Sequence, residues 1–137
     1  RGQFEALAGD KNIYRARNAR AMLRTYDDGR PIRVQPYPVQ AVALGNLTLV
    51  ALGGEVVVDY ALRIKKEYGE RGLVVAGYSN DVMSYIPSRR VLTEGGYEAD
   101  MSQVYYGLPG PYGEEVEERV MGAVRTVMRR VGRKERK

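Results

Sequence analysis

The chain has 137 residues, 44% hydrophobic and 28% charged, which suits one domain with a real core and excludes a disordered chain. It has no cysteine and no histidine, so disulfides, thiol nucleophiles, thiolate metal sites and any histidine base or ligand are excluded from within it. The net charge of +5 is local: Arg119 to Lys137 carries eight Lys/Arg against one acid, and everything before it is net acidic by two.

The first residue is Arg1 rather than Met, and the expectation is a piece of a longer protein. Glu5 to Tyr26 is rich in Ala, Arg and Leu, with Ile13, Ala16, Ala19, Leu23 and Tyr26 at helical spacing. That predicts an amphipathic helix or helix pair, ended by Asp27-Asp28-Gly29 and closed off by Pro31. From Tyr37 to Leu52 the pattern becomes a hairpin, with Val39, Ala41 and Ala43 alternating against Gln40, Val42 and Leu44. Gly45-Asn46 makes its turn and Leu47 to Leu52 returns. The apolar-rich stretch Val39 to Val58 is broken by Gly45, Asn46, Gly53, Gly54 and Glu55, so it is not a membrane-spanning helix.

Helical spacing resumes at Val57, Tyr60, Ala61, Ile64 and Tyr68 and stops at Gly69; Leu73 to Tyr78 then reads as a short buried strand. Strand, helix and strand in succession predict a β-α-β unit, hence an α/β (α+β) fold with a mixed sheet flanked by helices. Ser79 to Gly113 is the least regular region and holds five of the eleven tyrosines, with Ser88 placed to cap a short helix. A last helix is expected from near Gly113, with Glu114, Glu115, Glu117 and Glu118 at its positive end and Arg125, Arg129, Arg130 and Arg133 toward its negative end. Val116, Val120, Val124, Val127 and Val131 give that helix its apolar face. The organisation read from this is a single domain portion: a helical lead-in (1–30), a core (36–113), and a terminal helix with a basic tail (113–137).

One residue stands out. Glu55 lies between Leu49-Val50-Ala51-Leu52 and Val56-Val57-Val58, where an unpaired carboxylate is costly to desolvate. It either caps the helix expected to begin at Val56 or meets a cation. Asn80 and Asp81 read as turn formers, and Arg89 and Arg90 read as a solvated face or as partners for an anionic substrate.

The segments "GGEVVVDYALR", "VAGYSNDVMSYIPS", "GGYEAD" and "YYGLPGPYG", in that order between Pro36 and Gly113, resemble the distal part of the catalytic domain of neutral/alkaline, non-lysosomal ceramidases, the bacterial ceramidase-like proteins above all. The resemblance implies a zinc amidase that hydrolyses an N-acyl amide, N-acyl sphingosine lipids included, to a fatty acid and an amine. It implies that Glu55 and Tyr85 are zinc ligands, completed by two histidines absent from this chain. Tyr97, in the pair Tyr97-Glu98, is implied to be the catalytic residue that assists the oxyanion. The implied partners are the substrate and the upstream part of the catalytic domain, in a secreted, periplasmic or membrane-associated setting, with no transmembrane segment and no nucleic acid. The isolated chain is then expected to be inactive, because two oxygen ligands hold zinc weakly. The alternative is a non-catalytic α/β module that meets an anionic surface, nucleic acid or lipid, through its basic tail.

Overall fold

A computed structural model describes residues 1–136; Lys137, the last cation of the basic tail, lies outside the described residues. The fold is α/β. Helix α1 (Gly2–Leu7) and helix α2 (Ile13–Asp27) form the lead-in, with the Asn12 side chain accepting from the Tyr14 and Arg15 amides to start α2. Strands β1 (Val39–Leu44) and β2 (Leu47–Leu52) form the expected antiparallel hairpin. Strand β3 (Glu55–Val56), helix α3 (Val58–Tyr68) and strand β4 (Leu73–Ala76) follow, and β4 lies parallel to β2, giving a mixed sheet of order β1-β2-β4. Strand β5 (Tyr85–Ile86) pairs in parallel with β3 in a second, minimal sheet. Helix α4 (Arg89–Glu94), a π-helical turn (Tyr97–Met101), helix α5 (Gln103–Tyr106) and helix α6 (Val116–Arg130) complete the chain.

The main core lies on one face of the sheet. Val50, Leu52 and Leu73 meet Tyr60, Ile64 and Tyr68 of α3 and Val120, Met121, Val124 and Met128 of α6. Burying such side chains contributes about 1.5–3 kcal/mol each. An ion-pair hub joins the two helices outside this core: Arg63 meets Glu67, Glu117 and Glu118 at 3.2, 2.6 and 2.5 Å. A smaller cluster of Phe4, Ala19 and Met22 closes the lead-in, with Tyr26 and Ile32 packed on it.

Several details differ from the periodicity. Ile13 is 70% exposed; Met22 and not Ile13 shares the buried side of α2 with Ala16 and Ala19, and Met22 and Ala19 pack with Phe4 of α1. In α6 the buried row is Val120, Met121, Val124 and Met128, rotated slightly from the all-valine stripe. Helix α3 starts at Val58 rather than Val56, and its N-cap residue Val57 makes no side-chain cap. Glu55 is therefore not a helix cap: it lies three residues earlier, in β3. Strand β4 is buried only at Leu73, while Val74 is exposed. The register Val42–Leu49–Val74 runs an apolar row across the outer face, and with Leu44 and Leu47 this face is open to solvent.

The basic tail takes part in the fold. Arg133 Nη2 donates to the carbonyls of Tyr68 and Arg71 at 3.2 and 2.9 Å, satisfying acceptors at the end of α3, and Arg125 pairs with Glu67. Arg90 forks onto the Asp59 carboxylate, Nε to Oδ2 at 3.1 Å and Nη2 to Oδ1 at 3.0 Å, and also meets Glu94. Its role is to tie α4 to α3. Ser88 caps α4 as expected, its Oγ accepting from the Val91 amide at 3.2 Å while donating to Asp59. No described helix is long and apolar enough to cross a membrane.

Candidate functional site

The site lies beyond the carboxyl ends of the parallel strands β2 and β4, the end of an open α/β sheet at which ligands generally bind. After β2 the chain turns through Gly53-Gly54, and Gly54 has φ +69. A Cβ there would fall 2.7 Å from Ile86 Cγ1 and 2.8 Å from the Ser84 carbonyl oxygen, so only glycine lets the two segments touch. That contact allows the Glu55 amide to donate to the Ser84 carbonyl at 2.8 Å and the Gly54 amide to the Asp81 carbonyl at 2.7 Å. Glu55 and Tyr85 become direct partners in the β3–β5 ladder. Partners in a parallel ladder are about 5 Å apart and project to the same side, so a carboxylate and a phenol thirty residues apart in sequence stand together.

Tyrosine rings surround that pair. Tyr97, at the start of the π-helical turn, lies edge-on to Tyr85 with centroids 5.6 Å apart, and Tyr106 of α5 meets Tyr85 at 6.3 Å. Tyr105 stands 6.4 Å from Tyr97 and links the cluster to Tyr14 of α2 at 5.1 Å. All three sequence-derived site residues, Glu55, Tyr85 and Tyr97, are thus brought to one place. Glu55 and Tyr85 are half-buried, and Tyr97 is 45% exposed and open to a ligand.

The Glu55 carboxylate governs the chemistry of its neighbours. As an acceptor for their protons it pushes the phenols of Tyr85 and Tyr78 up to about 12 each, with loss of hydration adding to the effect. The Tyr106 phenol is raised too, first by burial and then by Glu55. Tyr78, which follows β4, is a member of the site that periodicity alone did not single out. Its one sequence signal was a bulky residue immediately after Gly77 at a strand end. Tyr112 belongs elsewhere: its hydroxyl shares a 2.6 Å hydrogen bond with Ser84 Oγ beneath β5.

A hard carboxylate oxygen and a phenol oxygen suit zinc, and the residues present fit two positions of a four-coordinate shell. Among the described residues no group of three or more His, Cys, Asp or Glu could hold a metal ion. Two oxygen donors by themselves would hold zinc only weakly. A cavity of about 350 Å³, lined by Tyr37, Ile86, Leu108, Tyr112, Val116 and Val120, is separate from this cluster. Its wall includes Ile86, whose side chain projects from β5 opposite to that of Tyr85.

The chain matches no protein-family model, no curated protein and no solved structure.

Proposed function

We propose that this chain is the distal part of the catalytic domain of a zinc-dependent amidohydrolase similar to the neutral ceramidases. The reaction is hydrolysis of an N-acyl amide, N-acyl sphingosine-type lipids among the candidates, to a fatty acid and an amine. The observation that carries the reading is the Glu55–Tyr85 ladder pair with Tyr97 edge-on to it. The implied metal ligands and the implied oxyanion donor are separated by up to 42 positions in the chain and share one cluster.

In this reading Glu55 and Tyr85 hold zinc together with two histidines from the upstream part of the domain. When bound, zinc polarises the scissile carbonyl and supplies hydroxide near neutral pH. Tyr97 donates a hydrogen bond to the oxyanion forming on the acyl carbon. Its ring packs against those of Tyr85 and Tyr105 while the residue stays partly exposed. As a zinc ligand Tyr85 would act through its phenolate oxygen, with loss of the phenol proton.

The test uses the native protein that carries this chain, assayed for zinc content and for release of fatty acid from N-acyl amides. Tyr97→Phe is expected to lower kcat by about two to three orders of magnitude, as loss of one oxyanion donor does. Glu55→Ala is expected to lower zinc content and activity together. Full activity in both variants, or robust hydrolysis by the 137 residues alone, would refute the reading. Salt-sensitive binding to an anionic surface, lost on removal of Arg129 to Lys137 and indifferent to Glu55→Ala, would support the basic-tail module instead.

A further inference from the structure

We propose that the cavity between α1, α2 and α5 is a binding site for a small, neutral molecule carrying a primary carboxamide, held by the side chains of Gln103 and Asn18. The site goes beyond the amidase reading and does not depend on it: none of Glu55, Tyr85 and Tyr97 lines this cavity.

The cavity measures about 250 Å³. Pockets for drug-sized ligands run from about 300 to 1,000 Å³, so the occupant here is small. Two polar side chains stand in its wall. Gln103 is 1% exposed, and neither its Nε2 nor its Oε1 has a partner among the described residues. Asn18 is 7% exposed and lies on the buried side of α2 with Ala19 and Met22. Its Nδ2 donates to the Leu108 carbonyl at 2.9 Å, which fixes the way the amide points and leaves Oδ1 as the unpaired end. Leu108 ties the two residues to one frame. Its own amide donates to the Gln103 backbone carbonyl at 3.1 Å, across the left-handed turn at Gly107.

Buried polar groups are nearly always hydrogen-bonded, and a carboxamide unpaired at both ends is costly to bury. The groups themselves define what completes them. Gln103 offers an N–H donor and a carbonyl acceptor side by side, and Asn18 offers a second acceptor. A primary carboxamide answers all of them: its carbonyl accepts from Gln103 Nε2, one N–H donates to Gln103 Oε1, and the other donates to Asn18 Oδ1. A carboxylate has no proton for either oxygen, and an ammonium leaves Gln103 Nε2 unpaired. Both also bring a charge that no buried side chain offsets. Arg15 and Asp100, the charged residues of the lining, are exposed and of opposite sign. Phe4, Leu7, Val104 and Leu108 supply apolar wall, so the body of the ligand is apolar. A mostly apolar pocket with a few placed polar groups is the usual make-up of a small-molecule site.

The experiment titrates the 137-residue chain, ¹⁵N-labelled at its glutamine and asparagine side chains, with benzamide, benzoate and toluene. Benzamide is expected to shift the Gln103 and Asn18 side-chain amide resonances saturably at millimolar concentration and to raise Tm as it binds. Benzoate, of the same size, and toluene, with the same ring, are expected to bind at least about tenfold more weakly, since each leaves buried groups unpaired. Gln103→Leu keeps the bulk and removes both unpaired ends; it is expected to weaken benzamide by at least about tenfold and to leave toluene unchanged. No saturable shift with benzamide, the result if trapped water alone bridges the two amides, would overturn the proposal. So would benzamide binding no tighter than benzoate or toluene, a comparison on the unmodified chain that holds even if Gln103→Leu fails to fold. Undiminished benzamide binding by folded Gln103→Leu would overturn it as well.

Discussion

Gly54→Ala tests the contact from which the site is built. The new methyl group meets two atoms inside 3 Å, Ile86 Cγ1 at 2.7 Å and the Ser84 carbonyl oxygen at 2.8 Å. Neither can step aside easily. Ile86 is 1% exposed in the core, and the Ser84 carbonyl accepts from the Glu55 amide. The left-handed φ of +69 costs an L-residue about 1–2 kcal/mol, and overpacking adds about 1–3 kcal/mol. Alanine recovers part of this, about 0.5–1 kcal/mol, by stiffening the unfolded chain. The expected net loss is about 3 kcal/mol, a fall in Tm on the order of 10 °C for a chain of this size. Gly45→Ala is the matched control. Gly45 has φ +58, and its new methyl group would have no neighbour within 4 Å, leaving the conformational cost alone, about 1 kcal/mol or less. Urea denaturation followed by circular dichroism measures both. Equal losses in the two variants would show that the close approach of β3 to β5 is not what requires glycine, and the account of how Glu55 reaches Tyr85 would fall with it.

Two further predictions concern the frame around the site. The Tyr60 hydroxyl, on a side chain 1% exposed, donates to the Pro87 carbonyl at 3.0 Å and anchors the residue that follows β5. Tyr60→Phe leaves that carbonyl without this donor and is expected to cost about 1–2 kcal/mol in urea denaturation; unchanged stability would remove the bond from the account. Hydrogen bonds from Arg90 and then Ser88 hold the Asp59 carboxyl below its usual value. A depressed folded-state value gives stability that is present above the unfolded value, near 4, and is lost as pH falls through the folded one. Unfolding free energy measured against pH is therefore expected to decline below about pH 4, and Asp59→Asn to flatten that decline; an unaltered acid limb in Asp59→Asn would contradict the assignment.

Much of the architecture was legible because it is written in local chemistry. The hairpin follows from alternation and Gly45-Asn46, the stop of α3 from Gly69, and the start of α4 from Ser88, each a matter of residues within a few positions of one another. Residue order also marked Glu55, Tyr85 and Tyr97, through the motifs they stand in. It could not decide between a helix cap and a site for Glu55. The two-residue ladder that settles its structural place joins it to a partner thirty positions away, and a parallel pair that short leaves no periodic trace.

The sequence by itself determined the elements, the absence of histidine and cysteine chemistry, and the concentration of positive charge in the last helix and tail. Tertiary structure alone decided which face of α2 and α6 turns inward, that Arg90 and Arg133 serve as ties within the fold, and that Tyr78 enters the left-handed region. The physical reason is the same in each case. Those outcomes depend on where a distant carbonyl, carboxylate or side chain stops, as the Gly54 and Leu52 carbonyls do beneath the turn at Tyr78, and no local preference of the chain encodes that distance.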